Sequence, residues 1–297
     1  MIKDNKLITA MITPFSENGN VDYKTAQKLA VALANTGSDG ILIGGTTGES
    51  PTLSDSEKLE LFKCVKDAVG GKADVIAGTT DNNTSKSIEL SIEAQKIGVD
   101  GLLFTVPAYN KPTQQGLIDH FNTIADSVDI PAILYNVPGR TSVNMEASTT
   151  IELSKHSNIV GIKEASSDMD QIAEIISKIS SSDFKLWSGN DDETLSIMKL
   201  GGHGVVSVAS NIVGLQISRM LITIQEGNIE SALNMHKDLL PLFEALFWVT
   251  NPILIKRALN ISGFNVGGLR LPMLDSNEFD DKFSKLLSNF EIDINTK

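Results

Sequence analysis

The chain alternates between short apolar runs and longer segments in which apolar residues recur at helical spacing. Most of the short runs are continuously apolar, as expected for strands of a parallel sheet that is buried on both faces. Eight of them are predicted strands: Leu7–Thr13, Gly40–Ile43, Ala73–Ala77, Gly101–Thr105, Ala132–Tyr135, Ile159–Lys163, Phe184–Trp187 and Gly204–Ser207.

The segments between these runs carry signals for the start and end of helices. Ser54 and Glu57 have the spacing of a capping box, and Gly70-Gly71 is typical of a helix end. Gly37-Ser38-Asp39-Gly40 resembles Gly98-Val99-Asp100-Gly101, and both precede a predicted strand. A recurring turn of this kind indicates repeated strand–helix units.

Eight units fit before about residue 225, and eight parallel strands can close into a barrel. An open doubly wound sheet is the main alternative, but no Gly-x-Gly-x-x-Gly dinucleotide motif follows the first strand. Beyond residue 228 the strand pattern stops, and Ile229–Leu246, Asn251–Leu259 and Glu278–Phe290 are predicted helices. We therefore predict an α/β protein with a (β/α)8 TIM barrel over residues 1–225 and a C-terminal helical extension of the same domain over 226–297.

Composition narrows the possible partners. The chain has 297 residues, with 41% hydrophobic and 21% charged content, which is typical of a globular protein. Its net charge of -12 argues against a nucleic-acid surface. Cys64 is the only cysteine, so no disulfide can form within the chain. The apolar runs are too short for a signal peptide or a membrane span, and the expected location is the cytoplasm.

Lys163 is the first candidate for chemistry, because it ends the apolar run Ile159–Lys163. Burial lowers the pKa of a lysine toward the neutral amine, and a neutral amine can form a Schiff base with a carbonyl compound. The alternative is a solvated lysine at a strand end, whose stem packs while its ammonium reaches water.

Other reactive residues follow neighbouring predicted strands. The run from Gly44 to Ser50, with Thr46 and Thr47, could hold an anion through N–H and hydroxyl groups or could form only a tight turn. Tyr109 and Tyr135 could relay protons, and Arg140 could bind a carboxylate. Taken singly, such a tyrosine is more often a packing residue and such an arginine more often a solvated turn residue.

Two further groups of polar residues were considered for other roles. The four histidines lack the short spacing of metal ligands, so no bound metal is expected, and His203 is expected to be structural. The acidic run from Asp191 to Glu193 is predicted to open a helix.

Taken together, these motifs resemble a known family over nearly the whole chain. Ala10-Met11-Ile12-Thr13-Pro14-Phe15, Gly45-Thr46-Thr47-Gly48-Glu49, Tyr135-Asn136-Val137-Pro138-Gly139-Arg140-Thr141 and Leu269-Arg270-Leu271-Pro272 carry the resemblance. The chain resembles the 4-hydroxy-tetrahydrodipicolinate synthase (dihydrodipicolinate synthase) family of pyruvate-dependent class I aldolase barrels. That resemblance implies condensation of pyruvate with L-aspartate 4-semialdehyde, without a cofactor beyond the covalent imine, in a tetramer built from two tight dimers.

The resemblance also implies a role for each matching residue. Lys163 would form the imine, and Tyr135 would exchange protons through Thr46 with a Tyr109 supplied by a neighbouring subunit. Thr47 would hold the pyruvate carboxylate, Val206 would line the pocket, and Arg140 would bind the second substrate. A related aldolase that acts on a sugar acid such as N-acetylneuraminate, and a barrel that binds a small acid without turnover, are the alternatives.

Two departures from the family pattern stand out. Ala108 occupies a position where many members have a second tyrosine, although Tyr109 is retained. Lysine-inhibited members share a histidine and a glutamate at an allosteric cleft, and the matching residues here are Lys58 and Lys86. Two added cations would repel the ammonium groups of L-lysine, so weak or absent inhibition is expected.

Overall fold

The computed structural model describes residues 1–179, 183–275 and 278–294. Eight parallel strands form a closed barrel in chain order, which confirms the predicted (β/α)8 class and excludes the open sheet. The chain contains two compact units, residues 1–6 with 76–206 and residues 7–75 with 207 onward. The prediction that the helices after residue 225 extend the same domain stays a prediction.

The strands follow the predicted runs closely. They are β1 Leu7–Ala10, β2 Gly40–Ile43, β3 Asp74–Gly78, β4 Gly101–Thr105, β5 Ala132–Asn136, β6 Ile159–Glu164, β7 Lys185–Ser188 and β8 Gly204–Ser207. The largest difference is in β1, which was expected to reach Thr13 but ends at Ala10. The Met11 N–H still donates to the Leu42 carbonyl of β2 at 2.9 Å, and Pro14 has no N–H with which the ladder could continue farther along.

Helices connect the strands and follow the last one. They are α1 Tyr23–Asn35, α2 Asp55–Val69, α3 Thr84–Ile97, α4 Gln114–Ala125, α5 Pro138–Thr141, α6 Ala147–Leu153, α7 Met169–Ile179, α8 Thr194–Lys199, α9 Ser210–Gln225, α10 Ile229–Ala245, α11 Ile253–Ile261 and α12 Asp280–Leu287. The three helices predicted after residue 228 are present, with starts and ends that differ from the prediction by at most three residues.

Local sequence signals explain several of these boundaries. The Ser54 side chain accepts a hydrogen bond from the Glu57 N–H, and the Glu57 carboxylate accepts one from the Ser54 N–H. The predicted capping box at the start of α2 is therefore confirmed. In the recurring turn, Gly37 and Gly98 have φ values of 92° and 89°. Side chains with a Cβ rarely adopt this left-handed conformation, and glycine therefore ends the helix before each following strand.

Within the first unit, the pairing of β5 with β6 has an irregular register. Ala132 pairs with Ile159, whereas Ile133 pairs with Gly161, so Val160 is skipped. This shift places Tyr135 opposite Lys163 instead of opposite Ile162. Since strand side chains alternate between faces, one extra residue decides which side chains face each other.

Candidate active site

Lys163 lies in β6 with its side chain almost completely buried. Only 5% of the residue is exposed. Tyr135 of β5 and Trp187 of β7 are its register partners on either side. The lysine Nζ lies 4.2 Å from the centre of the Tyr135 ring. The predicted lysine and one of the two predicted tyrosines are thus brought together by strand register.

Gly161, two residues before Lys163, explains how the lysine is kept from water. A Cβ at this position would lie only 2.4 Å from the Trp187 ring, so the missing side chain makes room for the indole. Trp187 is fully buried, and its Nε1 donates to the carbonyl of Asn5 at 2.8 Å. The tryptophan therefore fills the space beside the β6 backbone with apolar surface.

This burial changes the protonation of the lysine. The pKa of Lys163 falls from 10.5 to about 7, mainly because burial disfavours the charged form, and the positive charge of Arg140 acts in the same direction. Asp191 acts in the opposite direction. At neutral pH a large fraction of Lys163 is consequently the free amine, which is the form that attacks a carbonyl carbon.

Glu164 occupies the next position in β6 and is also fully buried. Its carboxylate accepts from the Asn136 side chain at 3.1 and 3.2 Å and from the Ser166 N–H at 2.8 Å. Asn136 is its register partner in β5. These bonds tie the two strands together one residue beyond the Lys163–Tyr135 pair, and the sequence analysis did not identify them.

The remaining predicted residues of the first unit lie in different environments. Val206 of β8 is buried, with 1% exposure. Arg140 is exposed in the short helix α5 that follows β5. Tyr109 is 92% exposed, with a φ of 72°, in the loop after β4. Its ring is therefore not packed against Tyr135 or Lys163 of its own chain.

Thr46 and Thr47 belong to the second unit, in the loop that follows β2. Thr47 is 3% exposed, and its Oγ1 accepts a hydrogen bond of 2.9 Å from Asn251 Nδ2. Thr46 is half-buried, and its carbonyl accepts from the N–H of Glu49. Bonds within the loop and from the distant turn before α11 thus define its conformation.

A buried ion pair anchors the same loop. Lys256 of α11 donates to Glu49 Oε1 at 2.7 Å, and the two side chains are 2% and 1% exposed. Burial lowers the pKa of Lys256 to about 8, although Glu49 acts in the opposite direction. The N–H of Arg270 donates to the second Glu49 oxygen at 3.0 Å. The sequence did not predict these contacts, because more than 200 positions separate Lys256 and Arg270 from Glu49.

The Arg270 side chain continues this network. It binds both carboxylate oxygens of Glu57, which holds the pKa of that group at about 2. Lys256 Nζ and Arg270 Cζ lie 4.1 and 4.5 Å from the centre of the Phe15 ring. The motifs around Phe15, Glu49 and Arg270 that carry the family resemblance thus form one cluster.

Two predictions concern residues outside these clusters. His203 contacts the edge of Trp187, with ring centres 5.2 Å apart, and lies 3.1 Å from Lys6 Nζ, in agreement with a structural role. Asp191 precedes α8 as expected, yet it is buried and acts on Lys163. Across residues 1–179, 183–275 and 278–294, no group of three or more His, Cys, Asp or Glu could hold a metal ion.

Within the described parts of the chain, every helix is too short or too polar to cross a membrane.

A buried lysine with a pKa of about 7 on a strand of a (β/α)8 barrel, with a tyrosine beside it, is the arrangement expected of a Schiff-base-forming barrel enzyme. Comparison with known proteins makes the class specific. The sequence profile of the dihydrodipicolinate synthetase family matches residues 3–290. The chain belongs to this family.

Individual relatives are similar over most of their length. The 4-hydroxy-tetrahydrodipicolinate synthase of Dehalococcoides mccartyi is 54% identical over 92% of this chain and 92% of its own. That of Heliobacterium modesticaldum is 51% identical over 92% and 91%. A crystal structure of DHDPS from Cyanidioschyzon merolae with lysine bound has 46% identity and a TM-score of 0.94, covering 97% of this chain and 98% of its own.

Proposed function

We propose that the chain performs its family's reaction through an imine on Lys163. The reaction condenses pyruvate with L-aspartate 4-semialdehyde to give 4-hydroxy-tetrahydrodipicolinate in lysine and diaminopimelate biosynthesis. The chain is an enzyme of this type, a lyase that forms a Schiff base. The alternative, a lyase that acts on a sugar acid, is not favoured by its relatives.

The burial of Lys163 beside Tyr135 and Trp187 is the observation that supports this role best. A lysine pKa of about 7 makes roughly half of the side chains nucleophilic at neutral pH. A solvated lysine, with a pKa of 10.5, would be neutral in only about 1 of 3000 molecules at the same pH. The site therefore increases the concentration of the reactive form by about three orders of magnitude.

The proposed reaction begins when the neutral amine attacks the ketone carbon of pyruvate. Loss of water from the adduct gives an iminium, whose positive nitrogen acidifies the neighbouring methyl group. The methyl loses a proton, and the resulting enamine carbon attacks the aldehyde carbon of the second substrate, whose oxygen takes up a proton. The amine of that substrate then attacks the iminium carbon, closes the ring and releases Lys163.

Each proton movement in this sequence needs a positioned acid or base, worth about 10²–10⁴-fold in rate. Tyr135 is the proposed donor and acceptor, since its ring lies 4.2 Å from Lys163 Nζ. An ordinary tyrosine has a pKa near ~10 and exchanges protons slowly at neutral pH without help. Thr46 and Tyr109 are the proposed continuation of the proton path.

Three further residues have proposed roles in binding. Thr47 would hold the carboxylate of pyruvate, and Val206 would form an apolar wall. Arg140 would bind the carboxylate of L-aspartate 4-semialdehyde, a role that its exposure next to β5 supports. These two substrates are the proposed small-molecule partners, with neither nucleic acid nor membrane, and the chain would need no cofactor besides the imine.

The proposed assembly is a homotetramer, made from two tight dimers, in the cytoplasm. The exposure of Tyr109 supports it, because an aromatic ring that is 92% exposed on its own chain is available to a neighbouring subunit. A substitution that separates the subunits while the chain stays folded should abolish turnover. Full activity in such a monomer would contradict the shared-site assignment.

Reductive trapping tests the central role of Lys163. Borohydride added with pyruvate should give one reduced adduct per chain, located by peptide mass analysis at Lys163. Lys163→Arg should give none, since a guanidinium cannot form the imine. Turnover is then compared between pyruvate with L-aspartate 4-semialdehyde and N-acetylneuraminate. Absence of any adduct would contradict the proposed chemistry, and preference for the sugar acid would favour the alternative.

A further inference from the structure

The segment from Asn251 to Lys256 contacts the loop after β2 at two points. Asn251 is 4% exposed, and its Nδ2 lies 2.9 Å from Thr47 Oγ1. Five residues later, Lys256 Nζ lies 2.7 Å from Glu49 Oε1. The turn that leads into α11 and the first turn of that helix therefore fix two side chains of a loop that is about 200 residues away in sequence.

The loop has little freedom between these two contacts. Gly48, which separates Thr47 from Glu49, is itself held by the Thr13 hydroxyl, which donates to its carbonyl at 2.6 Å. Lys256 also donates to the carbonyl of Gly268, at 2.5 Å. Both residues that follow Thr47 are thus held by bonds to other segments, and the Glu49–Lys256 pair is buried, so the loop around Thr47 is well anchored.

The bond from Asn251 determines where the hydroxyl proton of Thr47 can point. A threonine hydroxyl has one proton to donate and can accept bonds on its oxygen. When Nδ2 of Asn251 occupies an acceptor position on Oγ1, the proton of Thr47 remains available for another acceptor. The Asn251 Oδ1 atom is buried and has no hydrogen-bond partner among the described residues, so the bond to Thr47 is the one polar contact of this amide.

We propose that Asn251 is a positioning residue that orients the Thr47 hydroxyl as a hydrogen-bond donor to the carboxylate of pyruvate. The inference rests on the proposed role of Thr47 and adds a residue that does not itself touch substrate. A hydrogen bond to a charged group stabilises more than a neutral one, so a hydroxyl that is oriented in advance strengthens substrate binding. The effect should therefore appear in pyruvate affinity.

The test measures how the rate of borohydride trapping at Lys163 depends on pyruvate concentration, without the second substrate. Asn251→Ala frees the Thr47 hydroxyl and should raise the half-saturating pyruvate concentration about 10-fold, the lower end of what a bond to a charged group contributes. Asn251→Asp has the same shape, but its carboxylate accepts the Thr47 proton and adds a negative charge. It should therefore raise the half-saturating pyruvate concentration more than Asn251→Ala does. The trapping rate at saturating pyruvate should change little in both variants.

Two controls separate orientation from structural damage. Asn260→Ala removes a different asparagine, which lies in α11 and bonds the Gly267 carbonyl and the Val266 N–H, and it should leave pyruvate affinity unchanged. In a Thr47→Val background, Asn251→Ala should have almost no additional effect, because the hydroxyl that it orients is absent. Thermal unfolding of each variant checks that the fold is intact, and the isosteric Asn251→Asp serves if Asn251→Ala is unstable.

The outcomes distinguish this inference from the proposed function. Wild-type pyruvate affinity in Asn251→Asp would overturn the proposed direction of the hydrogen bond. Fully additive effects of Asn251→Ala and Thr47→Val would overturn the coupling between the two residues. Lack of trapping in the wild-type protein would instead contradict the role of Lys163. The inference stands if affinity falls in the stated order and the two effects are not additive.

Discussion

Replacing Lys163 by methionine should abolish imine formation and at the same time stabilise the fold. The unfolded lysine has a pKa of 10.5, whereas burial lowers the value in the folded protein to about 7. This difference of 3.5 units corresponds to about 5 kcal/mol, at 1.36 kcal/mol per unit. Methionine has a similar length and no charge, and it therefore removes this cost.

The sign of the pH dependence follows from proton binding. Between pH 7 and 10.5 the unfolded lysine holds a proton that the folded lysine has lost, so the stability contributed by this group rises with pH. Below pH 7 both states are protonated and the full cost is present. From pH 6 to pH 9 the wild-type protein should therefore gain about 2.5 kcal/mol relative to Lys163→Met.

Guanidinium unfolding followed by circular dichroism, at fixed protein concentration, measures this difference at pH 6 and pH 9. Lys163→Met should exceed the wild type in stability most at pH 6, and the gap should narrow at pH 9. Lys199→Met removes an exposed lysine of α8 and controls for the loss of one positive charge. A constant difference between wild type and Lys163→Met at both pH values would refute the argument that burial neutralises the amine.

Three other predictions concern the charges of Asp191, of Lys256, and of Lys58 with Lys86. The rate of pyruvate trapping at Lys163 should have its midpoint near pH 7, and Asp191→Asn should lower that midpoint because its carboxylate raises the lysine pKa. Lys256→Met should cost about 3–5 kcal/mol in chemical unfolding, since it leaves a buried carboxylate unpaired. Finally, Lys58 and Lys86 should make turnover insensitive to sub-millimolar L-lysine, as measured in a steady-state assay.

Each of these predictions has an outcome that would contradict it. A trapping midpoint near the ordinary lysine value would mean that the amine is solvated. If Lys256→Met lowered the free energy of unfolding by less than about 1 kcal/mol, the Glu49–Lys256 pair would contribute no more than an exposed salt bridge does. Strong inhibition by L-lysine would show that the site accepts the amino acid despite the added cations. The Cyanidioschyzon merolae structure, with lysine bound, provides a lysine-binding relative for comparison.

The sequence was sufficient to predict the barrel, because continuous apolar runs and recurring glycine turns are typical of buried parallel strands. It also predicted that Lys163 and Tyr135 lie close together, since residues at the ends of parallel strands are brought to one edge of a sheet. It could not give the register that pairs them. That register depends on the skipped Val160, which has no signal in local periodicity.

Long-range contacts were also beyond the sequence. Lys256 fits an ordinary helical pattern, and nothing nearby indicates that it pairs with Glu49. Asp191 was expected only to open a helix, whereas its burial makes it one of the charges that set the pKa of Lys163. In both cases the chemistry depends on burial, which arises from tertiary packing instead of the spacing of residues along the chain.

The strand alternation in β6 explains how an uncharged lysine can sit next to a buried carboxylate. A negative charge close to the amine would raise its pKa and return it to the ammonium form. Glu164 directly follows Lys163, yet it is not among the groups that shift the lysine's pKa. Successive side chains of a strand point to opposite faces, and Glu164 bonds Asn136 and Ser166 on the other face. The Glu164 carboxylate thus bonds β6 to β5 without raising the pKa of the Lys163 amine. Both properties depend on the alternation of side chains along β6.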